Sequence, residues 1–227
     1  MSDPAVEAQG IYHIYRSGGI ESVALKGASL SLATNTWTSI MGPSGSGKST
    51  LVDVLAGFVE PSAGAVLVAG QDITRLPARE RTVTRRHTIG LVRQRGNLHP
   101  TLRVAENVSL PLRLDGRPRA EVRRRTDEML AAVGLADRGR QQVATLSGGE
   151  SQRVAIAAAL VQEPVVVIAD EPTGELDEHT TEDVLELLER LRRDLGTSIL
   201  TVTHNPVVAS RASQRLEMRD GVLLAAS

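Results

Sequence analysis

The sequence predicts an α/β fold with a mainly parallel sheet, and three observations lead to this prediction. Strand-like and helix-like segments alternate along most of the 227 residues, which is the pattern of a parallel sheet covered by helices. Val165–Ala169 is an apolar, β-branched run, as expected of a central strand buried on both faces. A glycine-rich turn at residues 42–49 joins a candidate strand to a candidate helix.

The first part of the chain provides the elements on either side of that turn. Ser29–Ala33 alternates weakly between apolar and polar residues, and Trp37–Met41 leads as a strand into the turn. Ser49–Ala56 has a helical pattern, which Gly57 closes as the residue after the C-cap. Ala65–Ala69, bounded by glycines, is a further candidate strand.

The middle of the chain becomes helical and charged after another candidate strand at Ile89–Arg93. Between about residues 97 and 145, one helical face ends at Gly134. Its members are Val122, Thr126, Met129, Leu130 and Val133. We interpret this stretch as an inserted helical subdomain, because only short segments with proline or glycine, and no long linker, separate it from its surroundings.

Two arginine clusters, one on this helical stretch and one before it, allow two interpretations. They consist of Arg117, Arg119 and Arg123–Arg125, and of Arg79, Arg81, Arg85 and Arg86. The first interpretation is a solvated helix face. The second is contact with a membrane partner's cytoplasmic helix or with anionic headgroups.

The last part of the chain returns to alternating strands and helices. An amphipathic helix is marked by Val184, Leu187, Leu188, Leu191 and Leu195. Acidic residues near its start and arginines near its end suit the helix dipole. Ser198–Thr203 follows as another buried strand.

The composition excludes several classes of protein. There are 26 basic and 27 acidic residues, so no overall positive field recruits nucleic acid. Aromatic residues make up 2% of the chain, too few for a base-stacking surface. The absence of cysteine excludes disulfides, thiolate metal sites and cysteine nucleophiles. Only Lys26 and Lys48 are lysines among the basic residues, so each retained lysine suggests a specific role.

The sequence also predicts a protein of the cytoplasm. The first ten residues lack the basic and apolar regions of a signal peptide. The longest apolar runs, such as Val154–Val161, are far shorter than the ~18 residues that suggest a membrane span. Any membrane role is therefore expected to depend on a partner.

The glycine-rich turn carries a phosphate-binding pattern. It reads Gly42, Pro43, Ser44, Gly45, Ser46, Gly47, Lys48 and Ser49, which fits G-x-x-x-x-G-K-[ST] in full. Its glycines allow backbone N–H groups to converge on phosphate oxygens, and the following helix adds its positive dipole end. Lys48 is predicted to reach the β- and γ-phosphates, and Ser49 to offer its hydroxyl to Mg²⁺. Thr50 completes the expected nucleotide contacts.

Two carboxylates follow the strand Val165–Ala169. The open ends of parallel strands are where such sheets bind ligands. Asp170 is predicted to serve Mg²⁺, directly or through a bound water. Glu171 is predicted to polarise the attacking water.

Between these two sites lies Leu146-Ser147-Gly148-Gly149-Glu150, followed by Ser151-Gln152-Arg153. With this signature, nearly the whole chain resembles the ATP-binding cassette (ABC) ATPases. The resemblance implies that Ser147, Gly148, Gly149 and Glu150 cap the γ-phosphate bound by another subunit. ATP would then be sandwiched in a head-to-tail dimer with two composite sites.

Four further positions receive roles from the resemblance. Gln94 looks like the glutamine that touches Mg²⁺ and the attacking water and senses the membrane partner. Asp177 looks like the residue that crosses the dimer interface, and His204 like the switch histidine at the γ-phosphate. Tyr15 looks like the aromatic that stacks on adenine, although Tyr12 lies nearby.

The chain is also similar to a subgroup that serves lipoprotein release, macrolide export and cell division. The similarity lies in residues 169–177, 105–112 and 216–221. It implies separate four-span membrane subunits with large extracytoplasmic domains. Glu175, Ala158, Glu150-Ser151 and Arg103 depart from the usual residues of the subgroup, which affects dimer contacts and partner identity.

These observations predict one ABC ATPase domain over residues 1–227. About 1–94 and 162–227 form the P-loop NTPase core with an N-terminal antiparallel β-subdomain, and about 97–160 form the helical subdomain. The predicted function is ATP hydrolysis with Mg²⁺ in a dimer of identical chains that drives a membrane permease from the cytoplasmic face of a bacterial membrane. The alternatives are a soluble ABC ATPase in cofactor assembly or nucleic-acid work, and a regulatory module with little hydrolysis.

Overall fold

The protein is described by a computed structural model that covers residues 3–94 and 97–225. The strands are β1 Val6–Ser17, β2 Ile20–Leu32, β3 Trp37–Met41, β4 Ala63–Val68, β5 Gln71–Asp72, β6 Ile89–Val92, β7 Val166–Asp170, β8 Ser198–Thr203, β9 Gln214–Arg219 and β10 Val222–Ala225. The helices are α1 Lys48–Leu55, α2 Ala78–Thr88, α3 Val104–Leu114, α4 Arg119–Ala132, α5 Gly148–Leu160, α6 Glu178–Leu195 and α7 Pro206–Ser210, with a 3₁₀ turn at Val143–Thr145.

Two sheets organise these elements. The strand order β2-β1-β4-β5 forms an antiparallel sheet near the N-terminus, and β10-β9-β3-β8-β7-β6 forms the second sheet. In the second sheet, β9, β3, β8, β7 and β6 run parallel, and β10 pairs antiparallel with β9. The predicted α/β class with a mainly parallel core is therefore confirmed.

The central strands are buried on both faces, as their sequences indicate. All six residues of β8 are buried, and so are the first four residues of β7. One apolar cluster joins these strands to α1, β1, β2 and β4, and includes Ile168 and Leu55. A second cluster joins the helices α3–α6 to the other side of the sheet, around Trp37 and Val167.

The N-terminal sheet is longer than the alternation of its residues suggests. The predicted strand at Ser29–Ala33 is the end of the 13-residue strand β2, and the 12-residue strand β1 is absent from the strands assigned by alternation. The pairing of β1 with β2 shifts register at three places, the first between Ala8 and Ile11. Such bulges break the period-two pattern, which explains why the sequence signal is weak there.

The inserted helices α3–α5 lie between β6 and β7 along the chain. Helix α4 ends as expected, since Gly134 follows it in the left-handed region at φ 73°. The packed faces of α3–α5 belong to the same apolar cluster as Leu187 of α6. The exact boundaries of a helical subdomain remain a prediction.

Two arginines of the cluster on α4 pair with acidic residues of the same helix. Arg124 pairs with Glu128 at 2.8 Å and Arg123 with Asp127 at 3.7 Å, both with mostly exposed side chains. Pairs of this kind contribute little to stability and belong to a solvated helix surface. The structure thus favours the first interpretation of this cluster.

A buried carboxylate connects the inserted helices to the rest of the molecule. Asp115, which follows α3, has a side chain only 6% exposed. It accepts hydrogen bonds from Arg86 of α2 at 2.7 Å and from Gln162, beyond α5, at 2.6 Å. Burial raises the pKa of Asp115, but the hydrogen bonds from Gln162 and Arg86 outweigh this, so that the pKa lies below its ordinary value.

We expect Asp115→Ala to lower the free energy of unfolding by about 2 kcal/mol at pH 7, because it leaves the partly buried donors of Arg86 and Gln162 without their acceptor. Since the folded-state pKa is depressed, this contribution is complete above the unfolded pKa of about 3.9 and disappears as the pH falls through the folded value. Urea unfolding at pH 7 and pH 3 measures both. The exposed Asp127→Ala is the control and should change stability by less than about 0.5 kcal/mol; an equal loss in both variants at pH 7 contradicts the argument.

Candidate nucleotide-binding site

A cavity of about 1010 Å³ opens at the carboxyl end of the parallel strands. Five connections after these strands reach it, those after β3, β6, β7, β8 and β9. Its lining includes Tyr15, Ser44, Gly45, Gly47, Lys48, Ser49, Thr50, Gln94, Asp170, Glu171 and His204. The end of the strands is the position at which open α/β sheets bind ligands.

The loop after β3 can only be built with glycine at two of its positions. A Cβ on Gly42 would lie 2.2 Å from the carbonyl oxygen of Met218, and one on Gly47 would lie 2.6 Å from that of Ala24. Gly47 also has φ 104°. The loop is therefore wedged against β9 and β2, and its backbone faces the cavity without intervening side chains.

Helix α1 starts at Lys48, immediately after this loop. Gly47 has no side chain to cap it, so the first N–H groups of the helix are open to an anion. The Lys48 ammonium donates hydrogen bonds to the carbonyl oxygens of Gly42 and Pro43, both at 2.7 Å. This arrangement brings a positive charge back over the loop, where phosphate oxygens would lie.

Oxygen atoms that could act as ligands for a hard cation lie close together in the cavity. Ser49, in the first turn of α1, and Asp170, at the end of β7, both line the cavity. Burial and the negative charge of Glu171 raise the pKa of Asp170. A hydroxyl and a desolvated carboxylate beside a second carboxylate fit Mg²⁺, which prefers such oxygens together with substrate phosphates. The Gln94 side chain lies on the same cavity.

Glu171 is held in one orientation by the end of the neighbouring strand. Its carboxylate accepts hydrogen bonds from the Thr203 hydroxyl and from the backbone N–H of His204, both at 2.9 Å. Its Oε1 lies 2.6 Å from Nδ1 of His204, whose side chain is 73% exposed. Glu171 has φ 49°, an unusual value for a residue with a side chain and one that clusters at functional sites.

The structure distinguishes the two candidate tyrosines. Tyr15 lines the cavity, and its hydroxyl lies 3.3 Å from that of Thr50 on α1. Tyr12 lies instead over Gly27, where an added Cβ would come within 3.2 Å of the tyrosine hydroxyl. Tyr15 is therefore the tyrosine that a bound base could reach.

The described signature residues do not line this cavity, and Gly148 lies on a neighbouring groove that it shares with Gln94 and Glu171. Ser147 caps α5 by accepting a hydrogen bond from the Glu150 N–H at 3.2 Å, and Glu150 accepts one from the Ser147 N–H at 2.9 Å. The same hydrogen bond from the Ser147 backbone lowers the pKa of Glu150. Ser147 and Gly148 are exposed, and neither they nor Gly149 and Glu150 are among the described residues lining the cavity.

Asp177 occupies the N-cap of α6. Its carboxylate accepts hydrogen bonds from the N–H and hydroxyl groups of Thr180, at 2.9 and 2.7 Å. These bonds, the backbone one first, lower its pKa. A contact of Asp177 across a dimer interface stays a prediction.

Part of the cavity wall was not predicted from the sequence. The cavity wall also includes Ser22, Val23, Ala24 and Lys26 of β2 and the turn at Asp220 and Gly221. The backbone N–H of Lys26 donates to the Gly221 carbonyl at 2.8 Å, which joins the two segments. The scarcity of lysine in the sequence singles out Lys26, but it does not predict that this residue lies at the cavity.

The loop, the open helix end and the two carboxylates define a P-loop nucleotide-hydrolase site, and comparison with known proteins identifies its family. Residues 25–174 match the family described as ABC transporter. The chain belongs to the ATP-binding ABC transporter ATPases. It therefore binds ATP, with Mg²⁺ as the usual partner in hydrolysis, and is an ATPase subunit of the transporter type rather than of the soluble assembly type.

Individual relatives agree with this assignment. The chain is 43% identical to lipoprotein-releasing system ATP-binding protein LolD 1 of Rhodopirellula baltica, over 92% of each chain. It is 40% identical to macrolide export ATP-binding/permease protein MacB of Rhodopseudomonas palustris, over 99% of this chain but only 34% of MacB. The dimeric bacterial ABC cassette MJ0796 superposes with TM-score 0.88 at 36% identity over 96% of each chain.

A second structure of MJ0796, described as a dimeric post-hydrolysis state bound to ADP and Pi, superposes equally well, with TM-score 0.88 at 35% identity over 97% of this chain and 98% of that one. Cassettes of this family work as dimers with membrane permeases. Within residues 3–94 and 97–225, no helix has the length and apolar character of a membrane span.

Proposed function

We propose that this chain powers a permease of the lipoprotein-release, macrolide-export and cell-division subgroup from the cytoplasmic face of a bacterial membrane. The permease would be of the four-span type with an extracytoplasmic domain. The single observation that carries the proposal is that the P-loop cavity and the signature residues do not form one site within one chain. The exposed signature residues Ser147 and Gly148 are not among the described residues that line the P-loop cavity of their own chain, so a second subunit would have to supply its signature to complete each site.

The residues of the cavity receive the following roles. The backbone of residues 42–47 and the start of α1 bind the phosphates, and Lys48 neutralises charge that develops on them. Ser49, Asp170 and Gln94 would hold Mg²⁺, which supplies further charge neutralisation when bound. Tyr15 would stack on the base.

Glu171 and His204 position the water for attack on the γ-phosphate. The Thr203 hydroxyl and the His204 N–H fix both oxygens of the carboxylate, so Glu171 can accept the proton of the water without reorienting. The histidine side chain is exposed enough to contact a γ-phosphate. Hydrolysis removes the group that joins the two subunits, and the dimer opens.

The permease would dock in a second cavity of about 520 Å³, lined by α2, β6, α3 and α5. Its floor includes Ala155, Ala158 and Ala159, whose short side chains leave room for another helix. Phe58 at its edge is 50% exposed. Burial and the positive charges of Arg81 and Arg86 lower the pKa of Arg85 on its wall, so an acidic residue on the partner would be favoured.

This groove is connected physically to the nucleotide site. The guanidinium carbon of Arg93 lies 5.3 Å from the centre of the Phe58 ring, and that of Arg85 lies 4.2 Å from it. Arg93 also pairs with Asp53 of α1 at 2.6 Å and directly precedes Gln94 in the chain. Docking of the permease at Phe58 would therefore affect the positions of α1, the helix that follows the P-loop, and of Gln94.

The proposal is tested by tagging the chain in cells, solubilising the membranes gently and identifying the proteins that co-purify. We expect a four-span protein with a large extracytoplasmic domain. Phe58→Ala should reduce its recovery at least about fivefold, since aromatic residues dominate interface energetics. Val207→Ala, 47% exposed on α7, is the matched control. Recovery of soluble partners only would overturn the proposal.

A further inference from the structure

A buried histidine lies directly behind the tyrosine of the nucleotide cavity. His13 is 9% exposed, and its ring centre is 4.6 Å from that of Tyr15, with an angle of 81° between the ring planes. The two residues are two apart on β1, and the contact between their rings shows that their side chains lie side by side. His13 itself is not among the described residues that line the cavity.

Tyr15 is restrained at two points. His13 packs against its ring at nearly a right angle, a preferred geometry for aromatic pairs. The hydroxyl of Thr50 lies 3.3 Å from the phenol oxygen at the other end of the side chain. The rest of the tyrosine side chain is 46% exposed, at the cavity. The ring is thus fixed by groups that leave part of it available to a ligand.

Nothing else in the catalytic arrangement needs a histidine at this position. His13 Nδ1 is buried and has no hydrogen-bond partner among the described residues, and the ring packs against that of Tyr15. Removing the imidazole would leave a space behind Tyr15 into which the phenol ring could turn. The Lys48 ammonium donates its hydrogen bonds to the carbonyl oxygens of Gly42 and Pro43 and makes none with His13.

We propose that His13 is a positioning residue for recognition of the nucleotide base, which acts by fixing the orientation of the Tyr15 ring. The inference rests on the stacking role proposed for Tyr15. It assigns to His13 an effect on the base alone, because His13 contacts the stacking residue and not the phosphate site. A preoriented ring binds a planar base without first losing rotational freedom.

The experiment compares ATP with inorganic tripolyphosphate, which has phosphates but no base. We expect His13→Ala to raise the KM for ATP about three- to tenfold with kcat unchanged, as for loss of binding that is equal in ground and transition states. The inhibition constant of magnesium tripolyphosphate should not change. His13→Phe, which retains a planar ring, should restore the KM to within about twofold.

A double-mutant cycle with Tyr15→Ala separates this inference from the proposed function. If Tyr15→Ala leaves the KM for ATP unchanged, the stacking role itself is wrong. If Tyr15→Ala raises the KM, His13→Ala should add nothing in that background. An unchanged KM in the single variant His13→Ala, an additive effect, or an equal loss of tripolyphosphate binding would overturn the role of His13 and leave that of Tyr15 intact.

Discussion

Glu171→Gln is expected to lower the rate of ATP hydrolysis by about 10²- to 10⁴-fold, the usual contribution of a general base. The amide cannot take a proton from the attacking water. It can still accept a hydrogen bond from Thr203 or from the His204 N–H, so the shape of the cavity is retained. ATP binding should therefore persist, and the closed dimer should accumulate because its joining γ-phosphate is not removed.

Single-turnover hydrolysis and light scattering in saturating MgATP measure the two effects. Glu128→Gln makes the same chemical change on the exposed face of α4 and should behave as the unaltered protein does. A Glu171→Gln protein that stays monomeric in saturating ATP would count heavily against the composite dimer site. A variant with normal turnover would show that another group activates the water.

Lys48→Ala is expected to weaken ATP binding at least about 100-fold, since a charged donor to phosphate is lost inside a cavity. The ammonium of Lys48 lies over the loop at 2.7 Å from two of its carbonyls. Lys48→Arg should restore little, because the wide guanidinium fork does not replace a compact charge at this point.

Lys26 provides a matched control from the same cavity. It is the chain's only other lysine and lines the wall formed by β2. Lys26→Ala should change the affinity by less than about threefold, the effect of one screened charge at an exposed position. Titration of both variants with a fluorescent ATP analogue distinguishes them. Equal losses would mean that binding follows the net charge of the cavity and not the geometry of the loop.

Local patterns in the sequence predicted most of the site because the chemistry is contained in short segments. The turn at residues 42–49 carries its glycines, its lysine and its hydroxyl in eight consecutive positions. The Asp170-Glu171 pair is carried to the cavity by the strand that precedes it. Such arrangements depend on backbone geometry within a few residues, which the order of residues fixes.

Contacts between distant segments were outside the reach of these patterns. Glu171 meets Thr203 and His204 because β7 and β8 pair in parallel, with Asp170 opposite Val202. The N–H of Glu171 then bonds the carbonyl of Val202 at 2.8 Å, beyond the end of the strand. A shift of this register by one residue would place the Thr203 side chain on the opposite face of the sheet, where its hydroxyl could not reach Glu171.

The sequence by itself determined the α/β class, the P-loop and the family to which the chain belongs, since each follows from periodicity or from a contiguous motif. The tertiary structure alone decided that β2 and the turn at Gly221 close the cavity, that His13 packs against Tyr15, and that the described signature residues do not line the cavity of their own chain. The physical reason is packing. Bulges in β1 and the close approach of Gly42 and Gly47 to distant carbonyl oxygens set these positions, and neither leaves a periodic signal in the sequence.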